Sequence, residues 1–329
     1  MSDLLIGTDD GIFRLDGDSK DIQKETGPSS IAFLAATQAG VFALSRVGSS
    51  SNTWSTPKSA LWLRKDKNDW QLVNEHPVED EVWSFAADSR LQGRLYLGVS
   101  PALLYRSDDG GKSWIACESI RHIPGYEKWT FPPPPHIPHV RFIAPDPQVA
   151  GAVYIGVEEG GVYRSADGGE TWKSLNEGLY WDVHTVVPSP DGSRLYATTG
   201  GGFYRSDDGG DHWRHITNGL DRPYVIPCIT SQEQPERLYT AGAATPPPGW
   251  RVGGANAALY RSDDGGEHWV RLEHGLPSQF DVMVRSLVLD EAGNVYAAAA
   301  DEVFASFDGG ERWQLVAGDL PTVRALAVV

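Results

Sequence analysis

Short stretches of alternating apolar and polar residues run along the whole chain, separated by clusters of glycine, proline, aspartate and serine. Alternation with a period of two predicts half-buried β-strands, and the intervening residues favour tight turns. The clearest unit has four such stretches, which we label A to D: Val140–Ala144, Ala152–Val157, Gly161–Ser165 and Trp172–Leu175. The pattern therefore predicts an all-β chain built from repeated four-stranded units.

The two ends of the chain complement each other in this scheme. Leu4–Gly7 and Ile12–Leu15 read as B and C strands with no A strand before them, and Val323–Val329 reads as an A strand with nothing after it. We expect the last strand to complete the first unit as its innermost strand. Together with the five complete units and one less regular unit that begins at Ile31, this gives seven units of 329/7 = 47 residues.

One ten-residue segment occurs five times with the pattern Ser-x-Asp-x-Gly-x-x-Trp. Its copies are Tyr105–Trp114, Tyr163–Trp172, Tyr204–Trp213, Tyr260–Trp269 and Phe304–Trp313. The spacing predicts a hairpin in which the aspartate bonds turn amides, a glycine takes positive φ, and the tryptophan packs on the outgoing strand. A catalytic site needs its chemistry once, so a feature present five times is expected to be structural.

These are the residues of the Asp-box, or BNR repeat, so the chain resembles the Asp-box β-propeller family of sialidases, sortilin-type receptors and photosystem II assembly factors. The resemblance implies one domain over residues 1–329, a seven-bladed β-propeller of four-stranded antiparallel blades with the C-terminal strand closing blade 1. A glycosyl hydrolase-like, sialidase-like label comes with it. However, the sialidases of this family have six blades and a Phe/Tyr-Arg-Ile-Pro motif. Phe13–Asp16 lacks that proline and no Tyr–Glu pair can be assigned, so true sialidase activity is not expected.

Charge and cysteine content narrow the choice of partners and compartment. The net charge of −16, with no offsetting run of lysine or arginine, argues against nucleic acid and anionic membranes as partners. Cys117 and Cys228 lie far apart in different repeats and are expected to be free and buried. The N-terminus enters a strand pattern at once and no stretch approaches 18 apolar residues, so a cytoplasmic location is expected.

Three segments exceed the minimal repeat: Arg46–Ala60, Glu118–His139 and Ala243–Ala257. They connect strands B to C or D to A, and in an up-and-down blade both kinds of connection emerge on the same face. Each carries a tryptophan (Trp54, Trp129 and Trp250), and proline runs are expected to stiffen the rim. The alternative is that these loops are decorative, although long ordered loops are more often functional.

The residues that open the A strands are expected to point into the mouth of the central channel on this face. Aligned, they are Ile31, Trp83, Arg141, His184, Arg285 and Arg324, while the sixth blade aligns poorly near Tyr224. Three arginines directed at one point favour an anionic ligand, because guanidinium binds carboxylate or phosphate through two bonds at once. With Trp83, Trp129 and Trp250 as aromatic walls, they predict a ligand site. The alternative is that each arginine pairs with a neighbouring carboxylate and locks adjacent blades.

Histidines and carboxylates near the same mouth suggest further chemistry. Asp182 lies two residues before His184 on one strand, so it is expected to orient the imidazole for acid–base catalysis. A divalent metal is a second option, with His136, His139, His184 and Glu159 as ligands, because transition metals favour imidazole and carboxylate. An ordinary polar rim is the alternative to both.

Two classes of function remain open. The first is an enzyme or binder that acts on a small anionic molecule or glycan by a hydrolase-like or lyase-like reaction at the decorated mouth. The second is a non-catalytic assembly or interaction propeller with a protein partner, as the resemblance to photosystem assembly factors suggests. A concave pocket would favour the first and a broad flat face the second.

Overall fold

The computed structural model describes residues 2–47 and 58–329, without the side chains of residues 47 and 251–253. It contains seven four-stranded antiparallel sheets arranged as the blades of a β-propeller, which confirms the predicted fold. The first three blades comprise β1 (Leu4–Thr8), β2 (Gly11–Leu15), β3 (Ile22–Lys24), β4 (Ile31–Thr37), β5 (Gly40–Val47), β6 (Lys58–Arg64), β7 (Trp70–Asn74), β8 (Glu81–Ala87), β9 (Leu95–Ser100), β10 (Leu103–Ser107) and β11 (Ile115–Ala116).

Blades 4 to 7 repeat the plan and return the chain to blade 1. Their strands are β12 (Val140–Pro145), β13 (Val153–Val157), β14 (Gly161–Ser165), β15 (Lys173–Ser174), β16 (Val183–Pro188), β17 (Leu195–Thr199), β18 (Gly202–Ser206), β19 (Arg214–Ile216), β20 (Tyr224–Thr230), β21 (Leu238–Ala243), β22 (Ala258–Ser262), β23 (Val270–Leu272), β24 (Ser286–Leu289), β25 (Val295–Ala299), β26 (Glu302–Ser306), β27 (Gln314–Ala317) and β28 (Val323–Val328).

Strand β28 closes the ring as predicted. It pairs antiparallel with β1, with Leu4 opposite Val328 and Ile6 opposite Leu326, and so becomes the innermost strand of blade 1. The second strand of each blade is almost wholly buried, because it packs between the neighbouring blades on both of its faces. The first and last segments of the chain are therefore held together in one sheet.

The three longer connections differ in part from the sequence-based expectation. Residues 46–47 and 58–60 extend β5 and β6 by pairing, so the first connection is shorter than predicted, and its Trp54 lies outside the described residues. The second contains two 3-10 turns, Glu118–His122 and Tyr126–Lys128. In the third, the proline run does not form a polyproline segment but begins an α-helix, α1 (Pro247–Gly253), since proline is tolerated in the first helical turn.

The five repeated turns have the expected geometry. In the first, Ser107 Oγ accepts a hydrogen bond from the Gly111 amide at 2.8 Å, and Asp109 Oδ1 accepts one from the Ser113 amide at 2.9 Å. Gly111 has φ +90°, and a Cβ there would lie 2.2 Å from Leu61 of the neighbouring blade, so the position requires glycine. The other four turns repeat both bonds.

Both cysteines are free and buried. No helix among the described residues is long and apolar enough to cross a membrane.

Candidate functional site

Irregular pairing near the start of the innermost strands creates the candidate site. In β4, β8, β12, β16 and β28 the pairing register skips one residue near the start of the strand, which is the mark of a β-bulge. The extra residues are Ala32, Trp83, Arg141, His184 and Arg324. A bulged residue leaves the ladder and its side chain is re-aimed, which is why bulges are common beside functional sites.

The remaining two blades supply equivalent positions. In β20 the register shifts between Val225 and Cys228, which frees Ile226, and in blade 7 Arg285 directly precedes β24. The predicted alignment therefore holds for Trp83, Arg141, His184, Arg285 and Arg324. Blade 2 needs a correction, because Ala32 is the bulged residue and Ile31 is 1% exposed in the core.

Six of these seven positions line one cavity of about 610 Å³ at the mouth of the channel. Its lining residues are Asp9, Ser30, Ile31, Ala32, Phe33, Arg46, Trp83, Arg141, Ile226, Arg285 and Arg324. We call this end of the channel the arginine mouth, after Arg46, Arg141, Arg285 and Arg324. The structure thus brings together the three predicted arginines and adds Arg46, which the sequence alignment missed because it lies on β5 and not on an innermost strand.

Two of the arginines are paired with carboxylates. Arg324 makes a bidentate contact with Asp9, with Nε–Oδ1 and Nη2–Oδ2 distances of 2.8 Å, and this contact lowers the pKa of Asp9. Arg141 Nε lies 3.3 Å from Glu158 Oε2. Arg324 and Asp9 are both about half exposed, whereas Glu158 is 8% exposed. Two of the three predicted arginines therefore pair with carboxylates, as the alternative expected, but each pair lies within one blade and does not lock adjacent blades.

Arg285 is the exception. Its guanidinium has no hydrogen bond or ion pair with any described residue, although it is exposed to the cavity. Desolvation and the nearby charges of Arg141 and Arg324 lower its pKa. The Arg285 guanidinium is therefore open to the channel but has protein on its other sides, so it lies in a recess. An unpaired cation held in such a recess provides an electrostatic site for an anion.

The three tryptophans that were predicted to line the site lie in different environments. Trp83 lines the cavity and stacks on His139, with ring centroids 3.7 Å apart. Trp250, on α1, has its ring 5.9 Å from the Arg285 guanidinium. Trp129 does not reach the cavity, because it is 7% exposed and its Nε1 donates to Tyr163 Oη in the core beneath the loop.

Beside Arg141, the predicted acid–base pair lies in an enclosed corner. His184 Nε2 is 3.4 Å from Asp182 Oδ1, and Glu158 lies close to both. His184 is 2% exposed and its Nδ1 donates to the Val225 carbonyl at 2.5 Å. The imidazole therefore has no direct access to a molecule in the cavity, whereas the Asp182 side chain retains 15% exposure. A role for His184 as the group that contacts substrate does not fit this geometry.

The metal-binding quartet predicted from sequence does not assemble. His136 is exposed, and its Nδ1 lies 2.8 Å from the Phe131 carbonyl. His139 is fully buried and donates from Nε2 to Glu158 at 3.0 Å, and desolvation lowers its pKa. The prediction of Glu159 as a ligand is wrong, because the carboxylate near Asp182 and His184 belongs to the preceding residue, Glu158. Side-chain direction after a tight turn decided between the two glutamates, and sequence spacing could not.

The channel has a second, larger opening. A cavity of about 900 Å³ lies at the opposite end, lined by the far ends of the innermost strands. Its lining is mainly apolar with Glu233, Asp290 and Glu291, and it contains no basic residue among the described residues. Size alone would favour this end as a ligand site, but the convergence of four arginines, one of them without an ion pair among the described residues, favours the arginine mouth.

Comparisons with solved structures show the same fold. The GH74 xyloglucanase of Xanthomonas campestris matches with a TM-score of 0.71 and 16% identity over 96% of this chain, which spans 52% of the xyloglucanase. The periplasmic gluconolactonase of Pseudomonas aeruginosa matches with a TM-score of 0.64 and 14% identity over 100% of this chain and 99% of its own. YCF48 bound to a D1 peptide matches with a TM-score of 0.56 and 19% identity over 87% and 81%.

No protein-family model and no curated protein matches the sequence. Membership of the Asp-box family therefore stays a prediction from the repeated motif. At these identities the structural comparisons establish the architecture alone. This chain is similar to seven-bladed β-propellers of several unrelated functions.

Proposed function

We propose that the arginine mouth binds a small anionic molecule and that the protein acts on it as a hydrolase-like or lyase-like enzyme. The observation that carries the proposal is Arg285, a guanidinium that lines the cavity near Arg141 and Arg324, contacts the Trp250 ring, and has no hydrogen bond or ion pair with a described residue. Placing an unpaired cation there costs desolvation energy, and an anion would recover it. The chain as a whole has a net charge of −16, so this local excess of arginine is not a result of composition.

Carboxylate or phosphate on a sugar-sized molecule fits the cavity best. The planar guanidinium of Arg285 can bind either group through two bonds, and Trp83 adds apolar surface to the cavity lining against which a sugar ring can pack. Two of the similar structures are named for enzymes of xyloglucan and gluconolactone. A carboxylate-bearing sugar combines these features and is our preferred ligand class.

Acid–base groups for such a reaction lie in the corner next to Arg141. Asp182 is the member of the predicted pair with solvent access, so we assign the proton-transfer role to its carboxylate. His184 is enclosed and acts as a positioning residue for Asp182. This assignment reverses the roles expected from sequence, because burial removes the imidazole from contact with a ligand.

The binding proposal can be tested with gluconate and inorganic phosphate as probes in isothermal titration calorimetry. Arg285→Met should reduce affinity by about 2–5 kcal/mol, the usual loss for one partner of a desolvated charge pair. Arg312→Met is the matched control, because Arg312 is also exposed but lies in a repeated turn on the opposite face. Equal affinity in wild type and Arg285→Met, or equal losses in both variants, would exclude the site.

A specific observation supports protein interaction as a second candidate function. The exposed hydrophobic residues Ile137, Tyr180, Trp181 and Val282 all lie on connections from strand D to strand A, and so on the face that carries the arginine mouth. A solved structure of similar fold, YCF48, binds a D1 peptide. Trp181→Ala, which leaves the arginines intact, should then lower the affinity for a protein partner and leave gluconate binding unchanged. If Trp181→Ala instead lowers gluconate binding and leaves protein binding unchanged, the small-molecule site is the function of this face.

A further inference from the structure

Glu158, Asp182 and His184 form a corner in which two buried acceptor atoms, Asp182 Oδ1 and His184 Nε2, have no hydrogen-bond donor among the described residues. One atom from each residue lies within 4.8 Å of the other two. His184 Nε2 and Asp182 Oδ1 are buried and have no hydrogen-bond partner in the described structure. Buried polar atoms without a partner are rare and costly, and each one calls for an explanation such as a missing ion.

The tautomer of His184 makes Nε2 an acceptor that faces the Asp182 carboxylate. Its Nδ1 lies 2.5 Å from the Val225 carbonyl oxygen, which can only accept, so Nδ1 carries the hydrogen. In the neutral ring Nε2 then presents a lone pair to the Asp182 carboxylate, and two acceptors face each other at 3.4 Å. A histidine fixed through one nitrogen by a backbone carbonyl, with its other nitrogen free, has the outer-shell arrangement of a metal ligand.

The separation of His184 Nε2 and Asp182 Oδ1 fits two ligands of one metal ion. Ligand atoms about 2.1 Å from a tetrahedral metal lie about 3.4 Å apart, and Nε2 and Oδ1 are at that separation. On Glu158, Oε2 is the atom that contacts His139 and Arg141. These two contacts fix the orientation of the Glu158 carboxylate. Three ligands on β16, on the residue before it and on the neighbouring turn would leave further coordination positions open.

We propose that Glu158, Asp182 and His184 bind a divalent transition-metal ion beside the arginine mouth. One imidazole nitrogen and two carboxylate oxygens suit Zn²⁺, Mn²⁺ or Fe²⁺, whereas Ca²⁺ and Mg²⁺ prefer oxygen ligands alone. This site differs from the quartet predicted from sequence in two of its three residues. It does not depend on the proposed anion site, because none of its three ligands lines that cavity, although a metal-bound Asp182 would act as a ligand and not as the proton-transfer group proposed above.

The test is calorimetric titration of chelator-treated protein with ZnCl₂ and MnCl₂, with CaCl₂ in parallel. Wild-type protein should bind one transition-metal ion per chain and bind Ca²⁺ more weakly. Asp182→Asn should weaken transition-metal binding by about 10- to 100-fold or more. Loss of a residue that only hydrogen-bonds to a metal ligand typically costs this much, and loss of a ligand should cost no less. His212→Ala is the matched control, because His212 contacts a single carboxylate, Asp208, on the opposite face. Absence of stoichiometric binding, or equal affinity in wild type and Asp182→Asn, would overturn the proposal.

A melting experiment on metal-free protein distinguishes a corner that binds a metal ion from one in which a protonated His184 pairs with Asp182. If His184 is neutral, the asparagine amide in Asp182→Asn can donate to Nε2, and the variant should melt at the wild-type temperature or above it in the presence of chelator. Added Zn²⁺ should then raise the melting temperature of the wild type only. If an imidazolium paired with Asp182 fills the corner instead, Asp182→Asn should melt lower than wild type in chelator. That result would overturn the proposal.

Discussion

The two mouths of the channel are built from the same innermost strands, yet their chemistry is opposite. At the arginine mouth each strand is bulged or not yet paired, and Arg141, Arg285 and Arg324 project into the cavity. At the opposite mouth the same strands pair in regular register, as Ile143 with Ile155 and Val288 with Tyr296, and the lining is apolar and acidic. One strand therefore provides core packing at one end and a ligand-facing residue at the other.

The two faces of the propeller differ in the same way. On the face of the repeated turns, five copies of one hydrogen-bond pattern hold five different blades. On the arginine-mouth face the equivalent positions carry five residue types, which are arginine in three blades and Ala32, Trp83, His184 and Ile226 in the other four. Repetition indicates a shared structural task, whereas divergence at equivalent positions indicates a site assembled once. Mutations on the two faces should accordingly affect stability and binding separately.

Removal of residues 323–329 should have the largest effect, because β28 contributes to both mouths. The deletion leaves β1 as an exposed edge and opens the ring, so the blades lose their closure and the protein should unfold as a whole. Thermal melts followed by circular dichroism measure this. Arg324→Ala, which keeps the strand, should melt close to wild type. A truncated protein with an unchanged melting temperature would contradict the role of β28.

Tryptophans on the two faces should differ by several kcal/mol in their effect on stability. Trp213, in a repeated turn, is 7% exposed and donates from Nε1 to the Leu175 carbonyl, so Trp213→Ala should lower the free energy of unfolding by about 3–5 kcal/mol. Trp181, on the opposite face, is 51% exposed, and Trp181→Ala should change it by less than about 0.5 kcal/mol. Urea denaturation measures both. Similar losses would show that the faces are not divided as we infer.

Asp9→Asn should strengthen anion binding at the arginine mouth. Asp9 now neutralises Arg324 through two bonds, and its removal frees that guanidinium for a ligand. An exposed ion pair is worth up to about 1 kcal/mol, so gluconate or phosphate should bind about 2- to 5-fold more tightly by calorimetry. Asp10→Asn is the control, because Asp10 pairs with Lys24 and does not line the cavity. An unchanged or lower affinity in Asp9→Asn would place the anion elsewhere.

Acid should destabilise the repeated turns, and this is the smallest of the effects that we predict. Desolvation alone would raise the pKa of Asp167, but hydrogen bonds from Thr171 and Ser165 lower it to about 2. The unfolded carboxyl has a pKa of about 4, so the stabilisation is present above about pH 4 and is lost as the pH falls towards 2. Melting temperatures between pH 5 and pH 2 should fall less steeply in Asp167→Asn than in wild type. Parallel curves would show that this carboxylate does not contribute.

Local patterns in the sequence predicted much of the fold and part of the site. Alternation placed the strands, the repeated Ser-x-Asp-x-Gly-x-x-Trp segments placed the turns, and Val323–Val329 indicated the closure. The alignment of the innermost strands also identified Arg141, Arg285 and Arg324, which the structure brings to one cavity. A ligand, a catalytic role and a cytoplasmic location stay predictions.

The sequence by itself determined the blades, because strand periodicity and turn chemistry act between residues close in the chain. Only the tertiary structure decided which charges remain unpaired. Asp9 meets Arg324 across 315 positions of sequence because β28 closes the ring, Glu158 and not Glu159 faces His184, and Trp129 is buried under its own loop. These outcomes depend on how bulged strands from different blades converge on one axis. Within the described part of the chain, that convergence leaves Arg285 without an ion pair and His184 Nε2 without a hydrogen-bond donor.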